Sequence, residues 1–383
     1  MKSPNPEFLR AFDSALGGRK SLAFSEFLQL ALYHPDLGYY ATASRDVGRS
    51  GDFYTNVSIG PVLAEILLEQ VMEMWTALGE PTPFYLIEQG AHFGQFAADF
   101  LQAAADKPAF TTALRYAIIE PQSALQQRQQ TSLTAWKDQV EWHAEFATLR
   151  GVTGVHWSNE LIDALPFETL EWNGQTWLER RVARADDCLI FQSTEIPPGE
   201  LRDAVAELPS PPAPGYQTEI RLSHRPWLRE LSQSLERGFV LLCDYGYPRQ
   251  EYYSPERREG TLMGYQRHQR SDDPFEAPGE RDLSAHVDFT SLVRDAESSG
   301  FRLTGFTDQH HFLVGAAENL MRQREGQADS RWLRSLRTLL HPELMGTRFQ
   351  FLALAKLPGE VSPLSGFRFQ SAPRERLGLM DPL

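Results

Sequence analysis

The sequence is poor in cysteine and contains no long apolar run. Only two cysteines occur in 383 residues, Cys188 and Cys243, and they lie far apart. This excludes a disulfide-rich scaffold and does not match the paired spacing of a zinc site. Apolar stretches such as 239–243 and 349–355 are much shorter than the roughly 20 residues of a membrane-spanning helix. We therefore expect a reducing compartment, no metal site and no membrane span.

Positive charge is also scarce. Lys and Arg total 37 against 51 Asp and Glu, which gives a formal net charge of −14. A nucleic-acid-binding surface needs clustered Lys and Arg, and the sequence contains no such run. An acidic protein would instead suit a basic segment of a protein substrate. The N-terminus has neither the apolar core of a signal peptide nor the acid-free composition of a transit peptide, so we expect a cytoplasmic protein.

Short apolar runs alternate with helical stretches from Tyr85 onward. This alternation is typical of an α/β fold, with a mostly parallel sheet covered by helices on both faces. The predicted strands are 84–88, 114–120, 140–146, 154–158, 239–244, one near Phe301, and 348–356. The predicted helices within this region are 93–105, 121–133, 226–237, 289–299 and 316–327.

Two segments interrupt the alternation. Residues 169–196 resemble antiparallel strands joined at Asn173-Gly174, a strong hairpin signal. The segment 245–286 is far longer than an ordinary connection, and its tyrosines favour an ordered structure. Before the sheet, helices at 25–32 and 62–78 predict an N-terminal helical cap. We expect a cap with a cofactor-covering loop at 1–80, a main domain at 81–357 with insertions at about 168–222 and 245–287, and a C-terminal tail at 358–383.

The end of the first predicted strand has the features of a cofactor loop. Gly90 and Gly94 would let the backbone approach a ligand, and the following helix would direct its N-terminal amides at it. A tight turn without a ligand is the alternative interpretation. Glu120, at the end of the second strand, is placed to accept hydrogen bonds from two ribose hydroxyls. Together, these features predict a nucleoside cofactor. Glu88 would repel a pyrophosphate, which favours S-adenosylmethionine over a dinucleotide.

The chain resembles the MidA family of methyltransferases from about Phe24 to Lys356. Mitochondrial members of this family serve in the assembly of respiratory complex I. Six blocks in one order carry the resemblance: ALYHPDLGYY at 31–40, GDFYT at 51–55, NELIDALP at 159–166, DYGY at 244–247, GTL at 260–262 and DLSAHVDF at 282–289.

The resemblance implies a class I, Rossmann-like methyltransferase fold with seven strands. It also implies S-adenosylmethionine as the cofactor and a protein arginine as the methyl acceptor. Asn159, Glu160 and Asp163 then become candidate catalytic residues, because they close the fourth strand. Glu160 would hold the guanidinium through bidentate hydrogen bonds. The alternatives are a cofactor-positioning amide for Asn159 and a helix-start residue for Asp163.

Two further blocks contribute candidate residues. Gly51, Asp52 and Thr55 resemble a loop that folds over the cofactor, although an ordinary Gly-Asp turn is the alternative. His286 is a candidate proton acceptor or substrate contact. Asp288, which precedes a predicted helix, fits an N-cap better than a catalytic role.

The cofactor loop departs from the family pattern Glu-x-Gly-Pro-Gly-x-Gly. Ala91 stands where proline is expected and His92 where the middle glycine is expected. The His92 ring would either crowd the methionine part of the ligand or contact it. The principal prediction is an active arginine methyltransferase. The alternatives are a catalytically impaired assembly factor or scaffold and, more remotely, a nicotinamide dehydrogenase. By family analogy, we expect a complex I subunit as partner, a homodimer, and the mitochondrial matrix if the source is eukaryotic.

Overall fold

The structure is a computed structural model that describes residues 4–41, 56–211, 213–266, 269–325 and 329–379. Its α-helices are α1 Pro6–Leu16, α2 Phe24–Tyr33, α3 Val62–Ala77, α4 Gln95–Ala104, α5 Pro108–Ala113, α6 Ser123–Ser132, α7 Glu200–Ala206, α8 His224–Ser234, α9 Arg249–Tyr252, α10 Phe289–Ser298, α11 Gln309–Ala316, α12 Glu318–Gln323, α13 Ser330–Leu340 and α14 Pro373–Arg376. Its strands are β1 Phe84–Gln89, β2 Leu114–Ile119, β3 Val140–His143, β4 Val152–Asn159, β5 Glu168–Trp172, β6 Trp177–Ala185, β7 Cys188–Glu195, β8 Tyr216–Ile220, β9 Leu235–Tyr247, β10 Met263–Gln266, β11 Gln269–Ser271, β12 Asp282–Ser284, β13 Val287–Asp288, β14 Arg302–Asp308 and β15 Phe349–Lys356.

The chain divides into two compact units. The first unit contains Met1–Tyr54, Ile162–Arg225 and Arg249–His286. The second contains Thr55–Leu161, Pro226–Pro248 and Val287–Leu383. This division differs from the predicted cap at 1–80, because α3 packs in the core of the second unit through residues such as Ile66 and Met74. Among the described residues, no helix is both long and apolar enough to cross a membrane.

The second unit contains the predicted α/β sheet. Its seven main strands have the order β14-β15-β9-β4-β1-β2-β3, and the short β13 pairs with the end of β9. β1, β2, β3, β4 and β9 pair in parallel, and β15 is antiparallel to both of its neighbours. The chain proceeds outward from β1 to β2 and β3, then returns to β4 on the other side of β1. The prediction of a mostly parallel, seven-stranded sheet is confirmed.

Helix caps explain where several helices of this unit begin. The side chain of Asp288 accepts hydrogen bonds from the amides of Thr290 (3.0 Å) and Ser291 (3.2 Å). The predicted N-cap is therefore confirmed. The helix predicted at 316–327 is confirmed in part, since α12 spans Glu318–Gln323. Separate helices begin after Asp308 and Asp329, each of which accepts a hydrogen bond from an amide three residues later.

The predicted C-terminal tail packs onto the second unit. Phe367 is buried and its ring lies 5.2 Å from that of Phe312, measured between centroids. The amide of Gly366 donates to the side-chain oxygen of Gln70 (2.8 Å), and the hydroxyl of Ser365 donates to Glu73 (2.6 Å). These contacts attach the segment to α3.

The first unit is built on a four-stranded antiparallel sheet with the order β7-β6-β5-β8. The turn between β5 and β6 is the predicted hairpin, in which the Asn173 side chain accepts hydrogen bonds from the amides of Gln175 and Thr176, both at 2.8 Å. The long segment after α9 forms a second, three-stranded sheet in the order β11-β10-β12.

A buried carboxylate anchors this long segment to β8. Glu219 accepts hydrogen bonds from the amides of Thr261 (3.0 Å) and Leu262 (3.1 Å) and from the hydroxyl of Tyr252 (3.1 Å). A β-carbon at Gly260 would lie 2.2 Å from a Glu219 oxygen, so the close approach requires glycine. The block GTL at 260–262 therefore has a structural role in the first unit.

Candidate active site

The carboxyl ends of three neighbouring strands define the candidate site in the second unit. Gln89 at the end of β1 is in register with Ile119 of β2 on one side and Ser158 of β4 on the other. The topology switches between β1 and β4, and ligands of open parallel sheets bind at such a switch point. This arrangement brings together the predicted site residues Glu88, Gly90, His92, Gly94, Glu120, Asn159 and Glu160.

Three alternate residues of the loop between β1 and α4 adopt left-handed backbone conformations. The φ angles are +81° at Gly90, +46° at His92 and +79° at Gly94. Glycine adopts such angles without strain, whereas a residue with a β-carbon pays roughly 1 kcal/mol. A β-carbon at Gly94 would also lie 3.1 Å from Leu133. The three positions at which the family pattern has glycine are thus the three positions at which this backbone favours it.

The His92 ring packs along the loop. Its centroid lies 3.7 Å from that of Phe93, and the Arg128 guanidinium lies 4.5 Å from the Phe93 centroid. The ring is therefore held against a side chain that α6 covers in turn. We expect from this packing that the ring neither crowds nor strongly contacts the ligand, and removing the ring tests both of the predicted alternatives.

Replacing His92 by alanine or glycine separates the backbone from the ring. The free energy of unfolding of the glycine variant should be about 1 kcal/mol higher than that of the alanine variant, because only alanine keeps a β-carbon at φ +46°. Both variants should bind S-adenosylhomocysteine within about threefold of the parent, as measured by calorimetry. A tenfold gain in affinity in both would mean that the ring crowds the ligand, and a tenfold loss in both would make the ring a ligand contact.

Glu120 follows β2 and is held by α6. One carboxylate oxygen accepts from the amide of Gln122 (2.9 Å) and the other from the side-chain amide of Gln129 (3.2 Å). Burial raises the pKa of Glu120 to about 6, although both hydrogen bonds act to lower it. A carboxylate has about four lone-pair sites, so these two bonds leave capacity for hydroxyl donors.

Glu88 lies deeper, at the end of β1. The hydroxyl of Tyr116 on β2 donates to its carboxylate at 2.7 Å. Burial raises the pKa of Glu88 to about 7, and the hydrogen bond from Tyr116 opposes this shift. The first acid of the loop therefore titrates near neutral pH.

Asn159 and Glu160 form the turn that leaves β4. The Asn159 side-chain amide donates to Oε1 of Glu160 (2.9 Å), and the Glu160 amide donates to the carbonyl of Cys243 (2.9 Å). The Asp244 carboxylate accepts from the next amide, that of Leu161 (3.2 Å). Glu160 has a φ of +51°, a conformation that costs energy for a residue with a β-carbon and clusters at functional sites. Hydrogen bonds to adjacent segments of the same chain thus hold Glu160 in a strained backbone conformation at the end of β4.

Asp163 and His286 lie in the first unit, where Arg221 joins their backbones. One Arg221 nitrogen donates to the carbonyls of Asp163 and Ala285, both at 2.8 Å, and another donates to the carbonyl of His286 (3.2 Å). No helix follows Asp163, since residues 162–164 form a turn, so the helix-start interpretation was wrong. Burial, with contributions from nearby arginines, lowers the pKa of His286 to about 4.

Three predicted site residues, Gly51, Asp52 and Thr55, lie outside the described part of the chain. The sequence did not predict the roles of Arg221 and Gln129, because each contacts segments that are distant in sequence. The one available indication for Gln129 was its position on the same side of the glutamine-rich helix α6 as the buried Leu125. Among the described residues, no cluster of His, Cys, Asp and Glu is suited to hold a metal ion.

This strand order and site define a class I methyltransferase. A family model described as "Putative S-adenosyl-L-methionine-dependent methyltransferase" matches residues 66–307, and the chain belongs to that family. A crystal structure from Burkholderia thailandensis with bound S-adenosyl-homocysteine is similar, with a TM-score of 0.83, 27% identity, and 96% of this chain and 98% of that chain covered. The protein is thus a methyltransferase that depends on S-adenosylmethionine.

Mitochondrial proteins are among its curated relatives. Rat protein arginine methyltransferase NDUFAF7 is 26% identical over 370 residues, which is 87% of this chain and 80% of the relative. The human protein of the same name is 26% identical over 415 residues, or 98% of this chain and 88% of the relative. The similarity therefore extends over most of both chains.

The site residues fit an S-adenosyl ligand. Oδ1 of Asn159 is buried and has no hydrogen-bond partner among the described residues. Such an atom costs about 1–3 kcal/mol unless a ligand supplies a donor. The Glu120 carboxylate suits ribose hydroxyls, and the N-terminal amides of α4 suit a carboxylate. The left-handed turn at Gly90 allows a ligand to approach the backbone closely. Glu120, Asn159 and the loop 90–94 would hold the cofactor.

Proposed function

We propose that this protein methylates an arginine side chain of a protein substrate and that Glu160 holds the guanidinium. The observation that carries the proposal is the strained, hydrogen-bonded position of Glu160 beside Asn159 at the switch point of the sheet. Relatives that share most of the chain are named as protein arginine methyltransferases, which supports the same substrate class. The net charge of −14 suits a basic segment as the acceptor.

The residues at the end of β4 would bind and orient the acceptor. A guanidinium presents five N–H donors in a planar fork, and a carboxylate can accept two of them side by side. Asn159 fixes one oxygen of Glu160 from the side (2.9 Å), which limits rotation of the carboxylate. When bound, S-adenosylmethionine supplies a methyl group on a positively charged sulfur, which keeps the bonding electron pair on transfer. The attacking nitrogen then sheds one proton, for which the Glu160 carboxylate is the proposed acceptor.

Asp163 and His286 remain proposed contributors from the first unit. Burial lowers the pKa of His286 to about 4, so its imidazole is neutral at physiological pH and is a weaker base than an exposed histidine, which favours substrate contact over proton acceptance. We assign it a role in substrate contact, with Asp163 as a second carboxylate for the guanidinium. Gly51, Asp52 and Thr55 are proposed to cover the cofactor.

The proposed setting follows the relatives. They are named mitochondrial, and we propose a matrix location for this protein if its source is eukaryotic, or the cytoplasm if it is bacterial. A respiratory complex I subunit is the proposed substrate, and a homodimer is the proposed assembly.

The test of this function is the identity of the methylated residue. The purified protein, given S-adenosylmethionine with a labelled methyl group and a protein extract of the source organism, should produce labelled N-methylarginine after acid hydrolysis. Label in lysine, histidine or a carboxyl ester would contradict the arginine assignment. Binding of S-adenosylhomocysteine with no label in any protein would favour the scaffold interpretation.

A further inference from the structure

A single amide on α6 contacts two parts of the cofactor site. Gln129 is fully buried, and its Nε2 donates to the carbonyl of His92 (2.8 Å) and to Oε2 of Glu120 (3.2 Å). Its Oε1 accepts from the indole Nε1 of Trp142 on β3 (3.0 Å). Both donors and the acceptor of the amide are thereby used.

The orientation of this amide follows from the chemistry of its neighbours. The Trp142 indole nitrogen is a donor only, so the atom that faces it must be the amide oxygen. The nitrogen then faces the His92 carbonyl and the Glu120 carboxylate, which both accept. The reversed amide would lose all three hydrogen bonds, and a buried polar group left without a partner is unfavourable. The structure therefore fixes one orientation.

The two acceptors serve different ends of the ligand. Glu120 suits the ribose hydroxyls, whereas His92 is the middle residue of the loop that approaches the amino-acid end. We propose that Gln129 is a positioning residue that couples Glu120 to the loop 90–94, so that the nucleoside and amino-acid parts of the ligand are bound as one unit. Gln122 holds the Glu120 carboxylate through its backbone amide (2.9 Å), so a change at residue 129 leaves that support in place.

Replacement of Gln129 by methionine tests the coupling. Methionine has a similar length but cannot donate a hydrogen bond. The matched control is Gln130→Leu, which changes an exposed neighbour on the same helix. Calorimetry at pH 8 would compare S-adenosylhomocysteine, which spans both parts of the site, with adenosine, which lacks the amino-acid end.

The coupling predicts unequal losses. The dissociation constant of S-adenosylhomocysteine should rise at least tenfold in Gln129→Met, that of adenosine only about threefold, and neither should change more than twofold in the control. Losses by the same factor for both ligands would mean that Gln129 acts through Glu120 alone, which overturns the coupling. S-adenosylhomocysteine affinity within twofold of the parent overturns any positioning role.

The pH dependence of binding supplies a readout that a general loosening of the fold would not move. The hydrogen bond from Gln129 lowers the pKa of Glu120, so its loss should move the acid limb of S-adenosylhomocysteine affinity to higher pH. An unmoved limb contradicts the proposal. The other titratable side chains on elements packed around Glu120 are unchanged in the variant: Glu88, His92, Arg128, Glu141 and His143.

A second variant keeps the experiment decisive if the methionine variant does not fold. Gln129→Glu preserves the shape and the acceptor for Trp142 but places an oxygen against two other acceptors. Its loss of S-adenosylhomocysteine affinity relative to the parent should be larger at pH 8 than at pH 6, because the protonated carboxyl can donate one hydrogen bond. Parent-like affinity at both pH values would overturn the proposal.

Discussion

Replacing Glu160 by glutamine should lower the rate of methyl transfer to arginine by about 10²-fold. Glutamine keeps the oxygen that accepts from Asn159, and its size preserves the turn, but it removes the negative charge. Hydrogen bonds to charged groups contribute roughly 1.5–3 kcal/mol, and about 2.7 kcal/mol corresponds to a hundredfold rate. Initial rates of label transfer into N-methylarginine measure the effect.

The control is cofactor binding by the same variant. S-adenosylhomocysteine should bind within about threefold of the parent affinity, because the charge is proposed to act on the acceptor. Glu236→Gln, an exposed change on β9, should leave the rate unchanged. A Glu160→Gln protein that transfers methyl groups at the parental rate would remove Glu160 from the proposed guanidinium site.

Replacing Glu88 by glutamine should stabilise the protein by roughly 3 kcal/mol at pH 8. Burial raises the pKa of Glu88 from 4.5 to about 7 in the folded state. Below pH 4.5, both folded and unfolded chains hold the proton. As pH rises to 7, the unfolded chain ionises first, so the free energy of unfolding falls by about 1.4 kcal/mol for each unit of pKa difference. Glutamine has no proton to lose, and its oxygen can still accept from Tyr116.

Urea unfolding at pH 5 and pH 8 measures this effect. The difference between variant and parent should be several times larger at pH 8, whereas Glu236→Gln should show the same small difference at both pH values. Equal differences at both pH values for the Glu88 variant would show that its carboxyl does not titrate near neutrality. Glu88 at the cofactor loop would then be an ordinary ionised acid.

The sequence was sufficient for the parts of the fold that depend on local patterns. The buried runs at β1 and β2 predicted the strands, and the acids that close them, Glu88 and Glu120, lie at neighbouring strand ends. Asn173-Gly174 predicted a hairpin because its side chain caps the turn locally. The N-cap at Asp288 is local in the same way.

Contacts between distant segments were beyond such reasoning. Glu160 and Asp163 are three positions apart in sequence, yet one belongs to the second unit and the other to the first. Arg221 holds the backbones of Asp163 and Ala285 together, and no local pattern marks an arginine for this role. Gln129 gains its function from His92 and from Trp142, which different elements supply.

The strain at His92 illustrates a third limit. The sequence showed a histidine in place of glycine but not the backbone angle that makes the substitution costly. The structure adds the left-handed φ of +46° and the packing of the ring on Phe93, and the effect of each on stability or ligand affinity can be measured. Its alanine and glycine variants therefore report on the loop independently of the substrate.

Calorimetric titration of the unmodified protein with S-adenosylhomocysteine tests the central claim most directly. We expect one binding site per chain at the ends of β1, β2 and β4, with no comparable heat for NAD. A ligand at 100 times its dissociation constant would also raise the free energy of unfolding by about 2.7 kcal/mol. Absence of S-adenosylhomocysteine binding by the folded protein, or tighter binding of NAD, would contradict the account.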